Sequence, residues 1–228
     1  MTVKGLQKLT LLDFPSRLAA TVFLGGCNMR CPFCHNASLV VRNGGENISE
    51  EQLLSFLESR RGKLSGVCIT GGEPTLYREL PSFINKIRAL GFAIKLDTNG
   101  TNPDMLASLI REGLVDYVAM DIKSSRAGYP RASGIPDIDV SKIDESVKIL
   151  LSGKVDYEFR TTLVRELHSL SDMEDIGRWI SGAKRYFLQS FKDSGDLISD
   201  GFSALDTKSL AEFLEAVRGY VRGAQIRG

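Results

Sequence analysis

Gly66-Val67-Cys68-Ile69-Thr70-Gly71-Gly72-Glu73-Pro74-Thr75-Leu76-Tyr77 runs from a strand-like apolar stretch into a glycine-rich loop, and a helical pattern follows at once. Residues 67–70 read as a strand closed by Gly71-Gly72-Glu73-Pro74. From 77 to 90, Leu80, Phe83, Ile84 and Ile87 keep the spacing of one buried helix face. A strand, a short loop and a helix, repeated along a chain, imply parallel strands joined by right-handed crossovers.

The unit does recur. Downstream come strand 92–96, the loop Asp97-Thr98-Asn99-Gly100 and helix 104–112, then strand 117–120 and Asp121-Ile122-Lys123. An excursion with Gly and Pro, 124–139, precedes helix 141–151. Strand 157–164 pairs with helix 173–181 and strand 186–190 with helix 207–217, and a last short strand is expected near 224–227. Upstream, 5–13 and 19–24 read as two strands about a Phe14-Pro15-Ser16 turn. After an Asn43-Gly44-Gly45 turn, Ser49-x-x-Gln52 has the pattern of a capping box, opening a helix with Leu53, Leu54 and Leu57 on one face through Ser59.

Six strand-helix units counted from Ala19 fall two short of a full barrel. The expected fold is therefore α/β, an open, partial (β/α)6 TIM-type barrel of parallel strands. A flat doubly wound sheet stays as the alternative, because pattern alone does not show curvature. In both architectures the ligand site lies at the carboxyl ends of the strands, where the unusual motifs fall.

The 228 residues, 43% hydrophobic, suffice for one core, so a single domain over 1–228 is expected. Twenty-nine basic and 28 acidic residues leave a net charge of +1, which gives no support for a nucleic-acid or membrane partner recognised by bulk charge. No apolar run reaches the roughly 18 residues that span a bilayer, and the amino terminus has no signal-peptide arrangement; a cytoplasmic location is the expectation.

Three of the four cysteines crowd into Gly25-Gly26-Cys27-Asn28-Met29-Arg30-Cys31-Pro32-Phe33-Cys34-His35-Asn36, spaced C-x3-C-x2-C. Three thiolates on one short loop can ligate three corners of a cubane iron-sulfur cluster, whereas a ferredoxin or structural zinc site closes with four. One iron is then left open for a substrate. The competing reading is a zinc knuckle completed by His35 or Cys68. His35 adjoins Cys34 too closely for a relaxed tetrahedron, and Cys68 sits in a separate strand as a small core residue.

Gly71-Gly72-Glu73-Pro74 serves as a strand-ending turn, or as a loop that exposes backbone groups and an anion to an amino acid's ammonium. Asp97-Thr98 and Asp121-x-Lys123 end adjacent strands. Either aspartate alone reads as a helix cap, but both converging with Lys123 on one mouth read as a site. Arg160, midway along its strand, is costly to bury unpaired. His168 is expected in solvent, and Trp179 is expected to pack a helix onto the barrel.

The cysteine motif resembles the signature of radical S-adenosylmethionine (SAM) enzymes. The stretch GLQKLTLLDFPSRLAATVFLGGCNMRCPFCHN, residues 5–36, is similar to the longer type of anaerobic ribonucleoside-triphosphate reductase activating protein, within the activating enzymes of glycyl radical enzymes. The likeness runs through the ordered motifs from 5 to about 191. It implies an oxidoreductase with a single 4Fe-4S cluster on Cys27, Cys31 and Cys34, and with Phe33 against the adenine of SAM. It also implies Gly71, Gly72 and Glu73 at the SAM amino group and Arg160 at its carboxylate. Asp97, Thr98 and Asp121 would hold a monovalent cation, with Lys123 near the ligand or the closing loop. Gln189 stands where pyruvate formate-lyase activating enzyme carries histidine, a departure that points toward the ribonucleotide reductase group.

The resemblance further implies reductive cleavage of SAM to a 5'-deoxyadenosyl radical that takes hydrogen from a glycine of a partner enzyme. An electron donor such as flavodoxin or ferredoxin would feed the cluster, and no acid-base pair is called for. Three other readings stay open. One is a radical SAM enzyme acting on a small molecule, such as 7-carboxy-7-deazaguanine synthase; another is the activating enzyme of a different glycyl radical enzyme, such as pyruvate formate-lyase; the third is a non-enzymatic metal module, which leaves the Glu73 and aspartate loops without purpose.

Overall fold

The computed structural model describes residues 3–40 and 44–227; Asn43, the first residue of the expected 43–45 turn, lies outside them. The chain opens with a hairpin in which β1 (Val3–Thr10) runs antiparallel to β2 (Ala19–Leu24). Then follow α1 (Ala37–Val40), α2 (Glu50–Glu58), β3 (Gly66–Gly71), α3 (Leu80–Ala89), β4 (Ala93–Thr98), α4 (Pro103–Arg111) and β5 (Tyr117–Asp121). The remainder is α5 (Tyr129–Ser133), α6 (Val140–Leu151), β6 (Asp156–Leu163), α7 (Leu170–Trp179), β7 (Tyr186–Ser190), α8 (Thr207–Arg218) and β8 (Ala224–Arg227).

The eight strands lie in one sheet in sequence order, and every pairing from β2 to β8 is parallel. A doubly wound sheet reverses its strand order at a switch point. Here the order never reverses, so right-handed crossovers place all the helices on one face and the sheet curls with its other face inward. This is the open partial barrel. β8 adds a seventh parallel strand after the six strand-helix units, and β1 and β8 are the two outermost strands, β1 being partly covered by the bridge from Val3 to Ile48.

Local chemistry accounts for the boundaries. The Ser49 Oγ accepts from the Gln52 N–H at 3.1 Å while the Gln52 side chain accepts from the Ser49 N–H at 2.8 Å, which is the expected capping box. β1 stops at Thr10 rather than 13, because the Thr10 hydroxyl accepts from the N–H groups of Leu12 and Asp13 and turns the chain. α3 starts at Leu80 rather than 77. A single 3-10 turn, Pro74–Leu76, comes first, and Pro81 then sits in the first helical turn, where its missing N–H costs nothing. Asp97 and Thr98 belong to β4 itself, so strand pleating rather than a loop aims their side chains.

Trp179 packs α7 onto neighbouring helices. Its Nε1 donates to Asp144 on α6 at 2.9 Å, and its ring meets Tyr129 of α5 edge to face. Among the described residues no helix is long and apolar enough to cross a membrane.

Candidate active site

β2 delivers the cysteine loop to the carboxyl ends of the strands, and the Glu73 loop closes behind it. Gly71 adopts φ +115°, and a Cβ there would lie 2.3 Å from the Leu24 carbonyl oxygen, so only glycine lets the two loops meet. Cys27, Cys31 and Cys34 line one cavity of about 190 Å³ at this mouth. Every site residue expected from sequence lines it as well, except Gln189. Gln189 pairs in register with Thr162 of β6, which does face the cavity.

Burial pushes the Cys31 thiol up to about 12, and burial also raises Cys27 against the stabilising Met29 N–H, which reaches the Cys27 sulfur at 3.3 Å. Thiols so desolvated give up their protons to a metal rather than to water. Among the described residues no three His, Cys, Asp or Glu side chains are placed to hold a single metal ion. Three thiols around a shared cavity suit a cluster that takes one thiolate per iron. Of the two fourth ligands the zinc alternative would need, the Cys68 sulfur lies near Lys95 and Asp97 inside the barrel, away from the cavity, whereas His35 lines the cavity with its ring against Phe191 at 5.5 Å.

Glu73 is fully buried. Its Oε1 accepts from the Thr75 N–H (3.0 Å), the Thr75 hydroxyl (2.6 Å) and the Thr98 hydroxyl (2.8 Å), and its Oε2 from the Asn99 N–H (2.6 Å). Desolvation raises its pKa, and these four donors oppose the rise. The carboxylate is thus a brace between the ends of β3 and β4, with acceptor capacity left on Oε2. Asn99, which sequence reading passed over as a loop residue, completes the brace. Its side-chain amide donates to Asn28 at 3.0 Å and lies 3.7 Å from the Cys27 sulfur.

Opposite the thiols runs a chain of alternating charges. Lys95 is bonded to Asp97, Asp97 to Arg160 Nη1 at 3.2 Å, Arg160 Nε to Asp121 at 2.9 Å, and Asp121 to Lys123 Nζ at 3.1 Å. Burial alone would raise both aspartates. The Arg160 guanidinium, joined by Lys95 at one and Lys123 at the other, overcomes this and holds both carboxyls below the usual range.

His168 is not in solvent as expected: it is 6% exposed. Nδ1 accepts from the Val164 N–H at 3.0 Å, which leaves Nε2 to donate to the Lys123 carbonyl at 2.9 Å, and the ring meets Phe33 edge to face. Burial lowers its pKa and keeps it neutral. The 124–139 excursion contributes from the same side. Tyr129 bridges the Lys123 N–H and the Asp121 carbonyl, and the Ser133 carbonyl accepts from the Arg30 N–H at 2.8 Å, bracing the cysteine loop. On the other flank the segment after β7 reaches over, with the Ser199 N–H donating to the Pro32 carbonyl and Asp196 accepting from the Ser38 N–H, both at 3.0 Å.

Residues 21–180 match the Radical SAM superfamily. The chain is 30% identical, over an alignment of 234 residues, to a candidate glycyl-radical enzyme activating enzyme of Methanocaldococcus jannaschii, covering 99% of this chain and 95% of that one. It is 32% identical over 153 residues to a 7-carboxy-7-deazaguanine synthase of Koribacter versatilis, covering 66% and 63%. A domain of pyruvate-formate lyase-activating enzyme from Bacteroides vulgatus superposes with a TM-score of 0.59 at 16% identity, over 72% of this chain and 99% of that one. Streptococcus suis SuiB, bound to precursor peptide SuiA, superposes with a TM-score of 0.72 at 13% identity, over 91% and 48%. At such identities these two likenesses concern the fold.

Proposed function

This chain belongs to the Radical SAM superfamily, whose cofactors are a 4Fe-4S cluster and SAM, and we propose that it activates a glycyl radical enzyme, with anaerobic ribonucleoside-triphosphate reductase as the first candidate partner. When bound, a reduced cluster would supply one electron to SAM, the chemistry by which SAM yields a 5'-deoxyadenosyl radical able to take hydrogen from a partner glycine.

In this reading Cys27, Cys31 and Cys34 hold the cluster on its protein side. Gly71, Gly72 and Glu73 receive the ammonium of SAM, with the Glu73 brace keeping the loop rigid. Arg160 and Lys123 carry positive charge toward the SAM carboxylate, held in place by Asp97 and Asp121. Phe33, fixed by His168, offers an apolar face to the adenine. The chain's own share is to bind, orient and exclude water; no side chain moves a proton.

The observation that carries the enzyme class is the shared cavity of three thiols facing a charged wall. Glycyl radical activation is supported by the near full-length relative, since the similarity to 7-carboxy-7-deazaguanine synthase spans only 66% of this chain. That similarity keeps a second reading, chemistry on a small molecule. Anaerobic incubation of reconstituted protein with SAM, reductant and glycyl radical enzymes, followed by electron paramagnetic resonance, separates the two. A glycyl doublet is expected with one partner. SAM cleavage with no doublet from any partner favours the small-molecule reading.

A further inference from the structure

Lys95 lies on β4 with 2% of its side chain exposed, and a buried ammonium is stable only when paired. Its Nζ is bonded to Asp97 Oδ1 and stands 3.8 Å from the sulfur of Cys68, its registered neighbour on β3. Asp97 Oδ2 faces Arg160, Asp121 Oδ1 faces Arg160, and Asp121 Oδ2 faces Lys123. All four oxygens of the two aspartates therefore already accept from a protein cation. The third group expected to hold a monovalent cation, the Thr98 hydroxyl, is engaged on both sides, donating to Glu73 and accepting from the Gly100 N–H at 3.1 Å. An incoming sodium or potassium ion would have to crowd in beside oxygens that each already hold an ammonium or guanidinium, among like charges. The residues present do not fit that ion.

We propose that the Lys95 ammonium replaces, from inside the barrel, the monovalent cation that the family resemblance implies. Lys95 neutralises Asp97, so Arg160 stays stretched between the two aspartates. Within this chain of charges, three protein cations against two anions then leave one net positive charge, the complement of one SAM carboxylate. Lys95 does not line the cavity; it is a positioning residue that acts through Asp97 and Arg160. The inference rests on SAM as ligand, which family membership supplies, and not on the identity of any partner.

The test is SAM affinity of the full, cluster-reconstituted chain by equilibrium dialysis, with no partner present, in potassium, sodium or tetramethylammonium chloride at equal ionic strength. Tetramethylammonium is too bulky to enter between the carboxylates. Wild-type affinities are expected to agree within about twofold in the three salts. Lys95→Met is expected to lose about tenfold in tetramethylammonium and to regain most of it in potassium or sodium, as a small ion takes the vacated place beside Asp97. A wild type that needs potassium or sodium to bind SAM overturns the proposal. So does a Lys95→Met protein that binds normally in tetramethylammonium, or one equally impaired in all three salts, which is what a merely structural lysine would show. Should Lys95→Met not fold, the wild-type comparison decides alone.

Discussion

Gly72 sits directly on the carbonyl of Gly26: a Cβ built at Gly72 would fall 1.8 Å from the Gly26 oxygen. The next residue uses the same oxygen, because the Glu73 N–H donates to it at 2.8 Å. The SAM-loop candidate and the cysteine loop are thus packed backbone to backbone, with no side chain between them. Gly72→Ala is expected to force the loops apart at a cost of about 3 kcal/mol, or roughly 6–12 °C in thermal midpoint for a chain of this size. Calorimetry of the cluster-free protein measures it; an unchanged midpoint would show that the loops slide freely.

Cys31 is the most deeply buried of the three loop thiols. Cys31→Ala removes one cluster ligand, so iron retained after anaerobic reconstitution should drop and SAM cleavage should fall by at least about 100-fold. Iron analysis together with chromatography of 5'-deoxyadenosine reads both, and wild-type iron content with full cleavage would refute the ligand assignment.

Arg160 ties two partly buried aspartates that come from neighbouring strands, and Asp121 is its registered partner across β5 and β6. Arg160→Met leaves Asp97 with Lys95 and Asp121 with Lys123, so folding should survive with a loss of about 2 kcal/mol in urea titration. SAM affinity should weaken by about 10- to 100-fold as the charge-assisted contact disappears. Retained affinity would place the carboxylate elsewhere.

His168 is held neutral because burial lowers its pKa, so the unfolded chain takes up a proton that the folded chain refuses. Its contribution is therefore fully present above the unfolded value of about 6.5 and is lost as pH falls from there through the lower folded value. The thermal midpoint of cluster-free protein should decline from pH 7 to pH 5. His168→Gln should be less stable at pH 7.5 yet flatter across that window, with His35, which burial also lowers, adding to the residual slope and Glu73, which burial raises, opposing it. Parallel curves for the two proteins would remove His168 as the source.

The strand-helix alternation, the Ser49 capping box and even the short terminal strand Ala224–Arg227 were legible because each is written in contiguous residues. Strand β4 ran further than expected, since Asp97 reads locally as a strand end and both it and Thr98 are held extended by pairing with β5. Glu73 was legible as a site residue but not as a brace, because its partners Thr98 and Asn99 lie 25 and 26 residues on. Asn99 and Lys95 had no local signal at all.

The sequence by itself determined the thiol spacing, the parallel right-handed winding and the row of polar residues at strand ends, since thiol reach, periodicity and crossover handedness are properties of short stretches of chain. Only the tertiary structure decided that the sheet curls rather than lies flat, that His168 leaves solvent to hold Lys123, and that Lys95 faces Asp97 while Arg160 reaches it from 63 residues away. The physical reason is that strand order, register and desolvation are set by contacts between segments distant in the chain, and a buried charge finds its partner only once the barrel has brought those segments together.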